Sequence, residues 1–451
     1  MSILWVAFMR LGGAAQAVLK TSLLLAVGHT FACCVIRGTP YCPDEWLICA
    51  VAALAWIGGK LKEHECQLTQ AGRNDGLQPP RWPALDGLRA VAVLAVIIYH
   101  FGLLPGGYLG VDLFFVLSGF LITSLLIREW DRRRGHISFR DFYLRRVLRL
   151  FPALGCVIAV TVALIGLLEL SRPPSNRQYV AGTLEGLPLV VTFVGNWARA
   201  LDPASSLGML GHTWSLAIEE QFYLLWPALF VLLMRRRFSR GFMALSLAVI
   251  AVSEMVYRAA LAFAGYGSNR IYYGTDTHSD GLLIGCAIAF WLASHQSTRV
   301  YQKTGGLLKG ATGLATAVLA TLFVLGNLSR APIEIPLAVL ACGAVLVGAV
   351  AERLPLFLER LLSCEGAVLI GRRSYGLYLW HYIVLGAASA LYPAEVLGSR
   401  RIVTAVILGA LFIMTFLVTE LSYRFIELPA LRLKRRFREE QVRADPPMRR
   451  N

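Results

Sequence analysis

The chain has 451 residues, enough for two or three soluble domains, yet 56% of them are hydrophobic and only 16% charged, which excludes an ordinary soluble protein. A net charge of +16 would suit nucleic acid, but the basic residues fall in short connectors between apolar stretches, where membrane topology accounts for them. The bilayer is therefore an expected partner and nucleic acid is not, because no folded domain is left to carry a basic, base-stacking surface.

A membrane-crossing helix needs roughly 20 mainly apolar residues. Such stretches recur at 14–36 and 45–59, then, after a polar linker, at 85–104, 108–127, 150–170, 213–234, 242–264, 278–294, 310–326, 335–351, 374–392 and 401–424. The predicted fold is thus an all-α integral membrane protein, a polytopic bundle of ten core transmembrane helices plus two N-terminal extra helices. Its expected divisions are 1–60 for the leading pair, 61–83 for a cytoplasmic linker, 84–429 for the main membrane domain and 430–451 for a basic tail. The nine cysteines make no C-x-x-C pair and no zinc-type array with histidine, and most lie inside apolar stretches, so no metal site is expected.

Orientation follows from Lys and Arg, which stay on the cytoplasmic side in short loops. With the N-terminus inside, segments 60–84, 128–149, 235–240, 295–309, 352–373 and 424–451 are cytoplasmic and hold 32 of the 44 Lys and Arg residues. Both termini of a multi-pass membrane protein are then cytoplasmic. The longest outer loop runs from Ser171 to Gly211, the place to expect an extracytoplasmic acceptor site.

Ionisable groups inside spans are expensive, so they mark candidate sites, the alternative being an ion-paired structural role. Arg89 and His100 are eleven residues apart, about 20° from three full turns and about 16 Å along the axis. They share one stripe, Arg89 towards the cytoplasm and His100 towards the outer leaflet. Beyond the turn at Pro105-Gly106-Gly107, Asp112 reaches a similar depth on the next helix. A His100–Asp112 contact would hold one imidazole tautomer for general-base catalysis on a hydroxyl, or would be a buried pair that only docks helices.

The run His212-Thr213-Trp214-Ser215-Leu216-Ala217-Ile218-Glu219-Glu220-Gln221-Phe222-Tyr223 places two adjacent carboxylates in an apolar helix. Neighbours diverge by ~100°, so at least one must point into the bundle, close to the depth of His100. Asp276, His278 and Asp280 open the eighth span, and Tyr375, Tyr378 and His381 lie in the inner half of the eleventh. Arg146 and Arg149, one turn apart, are placed to receive donor phosphates or simply to anchor the helix at the cytoplasmic surface. No ATP-binding loop, dinucleotide fingerprint, H-E-x-x-H or G-x-S-x-G elbow occurs, and Ser118 is a poor nucleophile candidate.

From Trp82 to about Pro429 the chain resembles the acyltransferase-3 family of bacterial membrane O-acyltransferases. The resemblance rests on Leu85-Asp86-Gly87-Leu88-Arg89-Ala90 with His100 (an R-x10-H signature), Gly110-Val111-Asp112 through Phe120, Arg146-Val147-Leu148-Arg149, Trp214-Ser215-Leu216 through Tyr223, and Ser374-Tyr375-Gly376 through His381. It implies ten core helices, no permanent cofactor, and acyl-CoA, usually acetyl-CoA, as a co-substrate arriving from the cytoplasm. The acceptor it implies is a hydroxyl of a cell-surface glycan, lipid-linked saccharide or secondary metabolite. Arg89 and His100 belong to the essential motif, and Arg146 and Arg149 become donor-binding residues.

The expected catalytic set is His100, Asp112, Glu219, Glu220 and Arg89, and the expected substrate-binding set is His212, Ser215, Tyr223, Asp276 and His381. The chain departs from the family at His278, where Arg is frequent, and in its two leading helices. Some relatives carry a soluble SGNH-type domain after the last helix; without one, transfer finishes in the membrane domain or passes to an envelope-assembly partner protein. The competing readings are a transporter or exporter of a polar solute, which would also need intramembrane charge, and a scaffold without chemistry.

Overall fold

The computed structural model describes residues 82–171, 177–202, 204–294, 305–391 and 401–432. The spans expected at 14–36 and 45–59, the linker before Arg81 and the tail beyond Arg432 lie outside the described residues. All regular elements among the described residues are helical: α1 Pro83–His100, α2 Gly110–Arg132, α3 Phe139–Ser171, α4 Arg177–Val191, α5 Gly195–Leu201, α6 Trp214–Arg235, α7 Arg240–Phe263, α8 Ser268–Tyr273, α9 Asp280–Ser294, α10 Gly305–Leu325, α11 Ala331–Val350, α12 Leu356–Ser363, α13 Glu365–Arg372, α14 Ser374–Leu391 and α15 Arg401–Ser422. A π-helical turn, Tyr423–Glu427, extends α15.

Eight of the described helices are long and apolar enough to cross a membrane, and the protein is an all-α polytopic membrane protein. Their bounds follow the expected spans, with one clear difference. The fifth span was expected at 150–170, whereas α3 starts at Phe139 and carries its basic residues Arg145, Arg146 and Arg149 within the helix itself. Two expected spans fall short of the length or apolarity of the eight. Helix α14 carries Tyr375, Tyr378, His381 and Tyr382 along its length. Helix α9 has only 15 residues and is apolar and buried nearly all round, the pattern of a helix enclosed by protein.

Helix α9 is enclosed because glycines let backbones touch. A Cβ on Gly119 of α2 would run into the Leu282 carbonyl of α9, and one on Gly285 of α9 into the Val116 carbonyl of α2. Small residues at such crossings bring helices together where lipid gives no hydrophobic drive to associate. Outward faces carry large exposed apolar residues such as Phe151 and Val162 on α3, Leu225 and Leu229 on α6 and Val249 and Val256 on α7, as a lipid solvent requires.

The end of α1 is set by local chemistry. Gly102 adopts φ +75°, and the Leu103 amide reaches back to the Ile98 carbonyl at 3.0 Å, closing the helix with a Schellman-type turn. His100 is thereby fixed in the last turn.

Candidate functional site

The functional side chains gather in two groups joined by α1 and α6. One group, the outer one in the expected orientation, surrounds His100. Its Nδ1 lies 2.9 Å from the Val96 carbonyl and 3.2 Å from Nε2 of His381, whose own Nδ1 lies 3.2 Å from the Leu377 carbonyl. A carbonyl only accepts, so each Nδ1 carries the proton. His381 Nε2 is then an acceptor for the His100 Nδ1–H, and the lone pair of His100 is at Nε2, which has no hydrogen-bond partner among the described residues.

His212 completes the nest, its ring 5.4 Å from that of His381 and stacked on Tyr382 at 5.0 Å, with Tyr382 also 5.0 Å edge-on from His100. Ser215 bonds to Tyr378 at 2.5 Å, and the Tyr378 hydroxyl lies 2.6 Å from the His212 carbonyl. His381 was expected in the inner half of its span; the contact with His100 places both rings at one depth. Among the described residues no group of three or more His, Cys, Asp or Glu side chains is disposed to hold a metal ion.

The expected contact between His100 and Asp112 is not formed. Asp112 accepts from His278 Nε2 at 3.0 Å, both side chains being fully buried. Sequence spacing gives depth along the helix but not rotation about its axis. The close α2–α9 crossing turns Asp112 towards the start of α9 and away from α1. His278 Nδ1 lies 2.6 Å from the Tyr272 carbonyl, so both ring nitrogens face acceptors, and an imidazolium paired with the Asp112 carboxylate satisfies both. Beside it Arg258 binds Asp280 at 2.7 Å and the Thr277 carbonyl at 2.6 Å, again with no exposure. Asp112 and His278 therefore belong to a buried cluster of charged groups, with Arg258, Asp280 and Glu254, that fixes α2, α7 and α9.

The inner group gathers the arginines. Arg149 interacts electrostatically with Arg89, Arg146, Tyr223 and Glu219, and also with Tyr375 and Glu427. These residues come from α1, α3, α6, α14 and the π-helical turn, yet Arg149 remains exposed. Five elements thus converge on one arginine. Arg146 stacks on Tyr223, 3.4 Å from the ring centroid. Arg89 reaches Asp86 at 3.4 Å, and Arg372 shares that carboxylate at 3.5 Å.

Glu219 or Glu220 was expected to converge with His100. Instead Glu219 accepts from Ser118 and, at 3.1 Å, from the Tyr223 hydroxyl, which sets it among the arginines. Glu220, half-buried with Oε1 unpartnered, also interacts with Arg146. The reason is helical register: Ser215 lines the outer group, and Glu219, one turn on, is about 6 Å further along the axis of α6.

Asp276 stands apart from both groups, paired with Arg270 through two hydrogen bonds of 2.9 and 2.5 Å at the outer rim. Those bonds raise the pKa of the Arg270 guanidinium further. Sequence reading missed Arg199, which carries no motif around it. From α5 it donates to the Gly211 carbonyl at 2.7 Å and the Tyr273 hydroxyl at 2.5 Å, and interacts electrostatically with His100 and His212. Its place in the long outer loop was the one available signal.

A family model described as an acyltransferase domain matches residues 82–424. The chain belongs to that family. Among curated relatives, the peptidoglycan O-acetyltransferase OatA of Listeria monocytogenes is 35% identical over 363 residues, covering 77% of this chain and 55% of the relative. The putative peptidoglycan O-acetyltransferase YrhL of Bacillus subtilis is 36% identical over 365 residues, with coverage of 77% and 54%. The O-acetyltransferase OatA of Staphylococcus aureus is 35% identical over 371 residues, with coverage of 79% and 58%. The chain thus spans a little over half the length of these relatives. No solved structure matches it.

Proposed function

We propose that the chain is a membrane O-acyltransferase that takes an acetyl group from acetyl-CoA at the cytoplasmic face and places it on a hydroxyl of a cell-wall glycan at the outer face. The membrane would be the bacterial cytoplasmic membrane, with both termini inside. The observation that carries this reading is His100: its Nδ1–H is committed to a carbonyl and to His381, leaving Nε2 as a base, about 16 Å along one helix from a cluster of arginines. The glycan acceptor is supported by two of the relatives, which are named as peptidoglycan O-acetyltransferases, one of them putative.

In this reading Arg146 and Arg149 hold the donor's phosphates, which cannot enter hydrocarbon unpaired, and Glu219 and Glu220 balance part of the arginine charge. The slender acyl-pantetheine arm passes Arg89 and Tyr223 towards His100. The acceptor, bounded by His212, Ser215 and His381, gives its hydroxyl proton to His100 Nε2 as its oxygen bonds to the thioester carbon. The C–S bond then breaks, and the thiolate takes up a proton to leave as coenzyme A. Asp112 acts at a distance, as a positioning residue through His278 and α9. An envelope-assembly partner protein would receive the acyl group wherever the glycan is not itself the first acceptor.

The test is transfer of label from radiolabelled acetyl-CoA in membranes carrying the full chain. His100→Ala should abolish label transfer at unchanged membrane abundance; near-wild-type turnover overturns the assignment. A transporter would release no coenzyme A thiol in either form.

A further inference from the structure

The group around His100 contains one permanent cation among the described residues. Its rings are histidines and tyrosines: His100, His212, His381, Tyr99, Tyr378 and Tyr382. Arg199 is the cation that interacts with His100, His212, Tyr99 and Tyr378. No carboxylate pairs with it among the described residues. Two of its five N–H donors are used, one on the Gly211 carbonyl and one on the Tyr273 hydroxyl, and the guanidinium lies over the Tyr273 ring, 4.0 Å from the centroid.

The remaining three N–H groups are on a half-buried side chain whose plane is held by those contacts. The two arginines that are buried among the described residues differ: Arg258 is closed by Asp280, and Arg373 by Glu420. An arginine held in position with most of its donors unspent is complementary to a planar anion, which it can bind in bidentate fashion. Arg199 is carried by the outer loop, on the side from which the acceptor comes.

We infer that Arg199 is a specificity-determining residue that binds a carboxylate on the acceptor, so that the preferred substrate is an acidic saccharide rather than a neutral one. This rests on the proposed function for the nature of the acceptor. The carboxylate would take the free N–H groups of Arg199 while the sugar rings lie against Tyr382 and His212, bringing a hydroxyl to His100 Nε2. A preorganised cation could equally stabilise a transient oxyanion, and binding measured without the acyl donor separates the two, because only recognition of a standing carboxylate is read there.

The experiment is equilibrium binding to the purified full chain without acetyl-CoA, which separates recognition from chemistry. The probes are two N-acetylhexosamine oligosaccharides, identical except that one carries a carboxylate and the other its primary amide. Wild type should bind the carboxylate roughly tenfold or more tightly, a preference that weakens with salt. In Arg199→Gln the ratio should fall to about one, and Arg199→Lys should keep part of it, because charge remains but the planar fork is lost. Equal affinities in wild type, or a preference that survives Arg199→Gln, overturns the inference. Because the readout is a ratio within one variant, partial loss of folded protein cancels. A preference present in a protein that transfers no acyl group would leave this inference standing and sink the proposed function instead.

Discussion

His381→Phe isolates what the second histidine does for the first. Phenylalanine keeps a ring beside His100, where the histidine centroid now lies 5.0 Å away, but removes the Nε2 that accepts from His100 Nδ1 at 3.2 Å. The Val96 carbonyl, at 2.9 Å, still accepts that proton and still specifies the tautomer. The loss is therefore one long neutral hydrogen bond of two, about 0.5–1.5 kcal/mol. If all of it is lost in the transition state, where charge on the His100 ring is greatest, kcat falls by roughly 2- to 13-fold. KM for acetyl-CoA and for the acceptor should hardly change, since neither substrate is bound through that bond. Steady-state thiol release, with membrane abundance controlled, measures both constants. A loss as complete as that of His100→Ala would refute this account, because His381 would then have to carry the proton itself. Unchanged kcat would refute it from the other side, as the His100–His381 bond would contribute nothing.

Much of the fold was legible because hydrocarbon leaves few choices. The apolar runs gave helix positions within a few residues for most spans, and Arg89 and His100 could be set on one stripe from helical spacing alone. What spacing could not give was rotation and partnership. Asp112 has the depth of His100 but faces His278, because glycines at 119 and 285 let α2 and α9 close on each other, and that depends on two backbones meeting. Glu219 sits a single turn too deep for the outer group and finds Ser118, a residue whose sequence surroundings argued only against a nucleophile. Arg199 was invisible for a further reason. A lone arginine in an outer loop has no periodicity to read, and its meaning comes from Gly211 and Tyr273, twelve and 74 residues away in sequence.

Two further outcomes are expected. Truncating both Arg146 and Arg149 should raise KM for acetyl-CoA at least tenfold while leaving KM for the acceptor within about twofold, since charge-assisted bonds to phosphate are each worth about 1.5–3 kcal/mol; a loss of acceptor affinity alone would reverse the assigned direction of donor approach. The last concerns the buried pair. Asp280→Ala leaves the Arg258 guanidinium uncompensated with no exposure to water, and breaking such a pair from one side costs about 3–5 kcal/mol. Glu254, which already accepts from the Ser279 and Asp280 amides and interacts with Arg258, can take up part of that charge, so the lower end of the range is expected. Replacing both partners by apolar residues, as Arg258→Met with Asp280→Leu, removes the uncompensated cation and should recover most of the loss in thermal unfolding of the solubilised chain. The Asp112–His278 pair is complete without either residue, so His100 should keep its place and the double variant should retain acyl transfer. If the double variant instead melts with the single one, the pair does more than neutralise itself, and the Thr277 carbonyl that Arg258 also holds becomes the contact that fixes the start of α9.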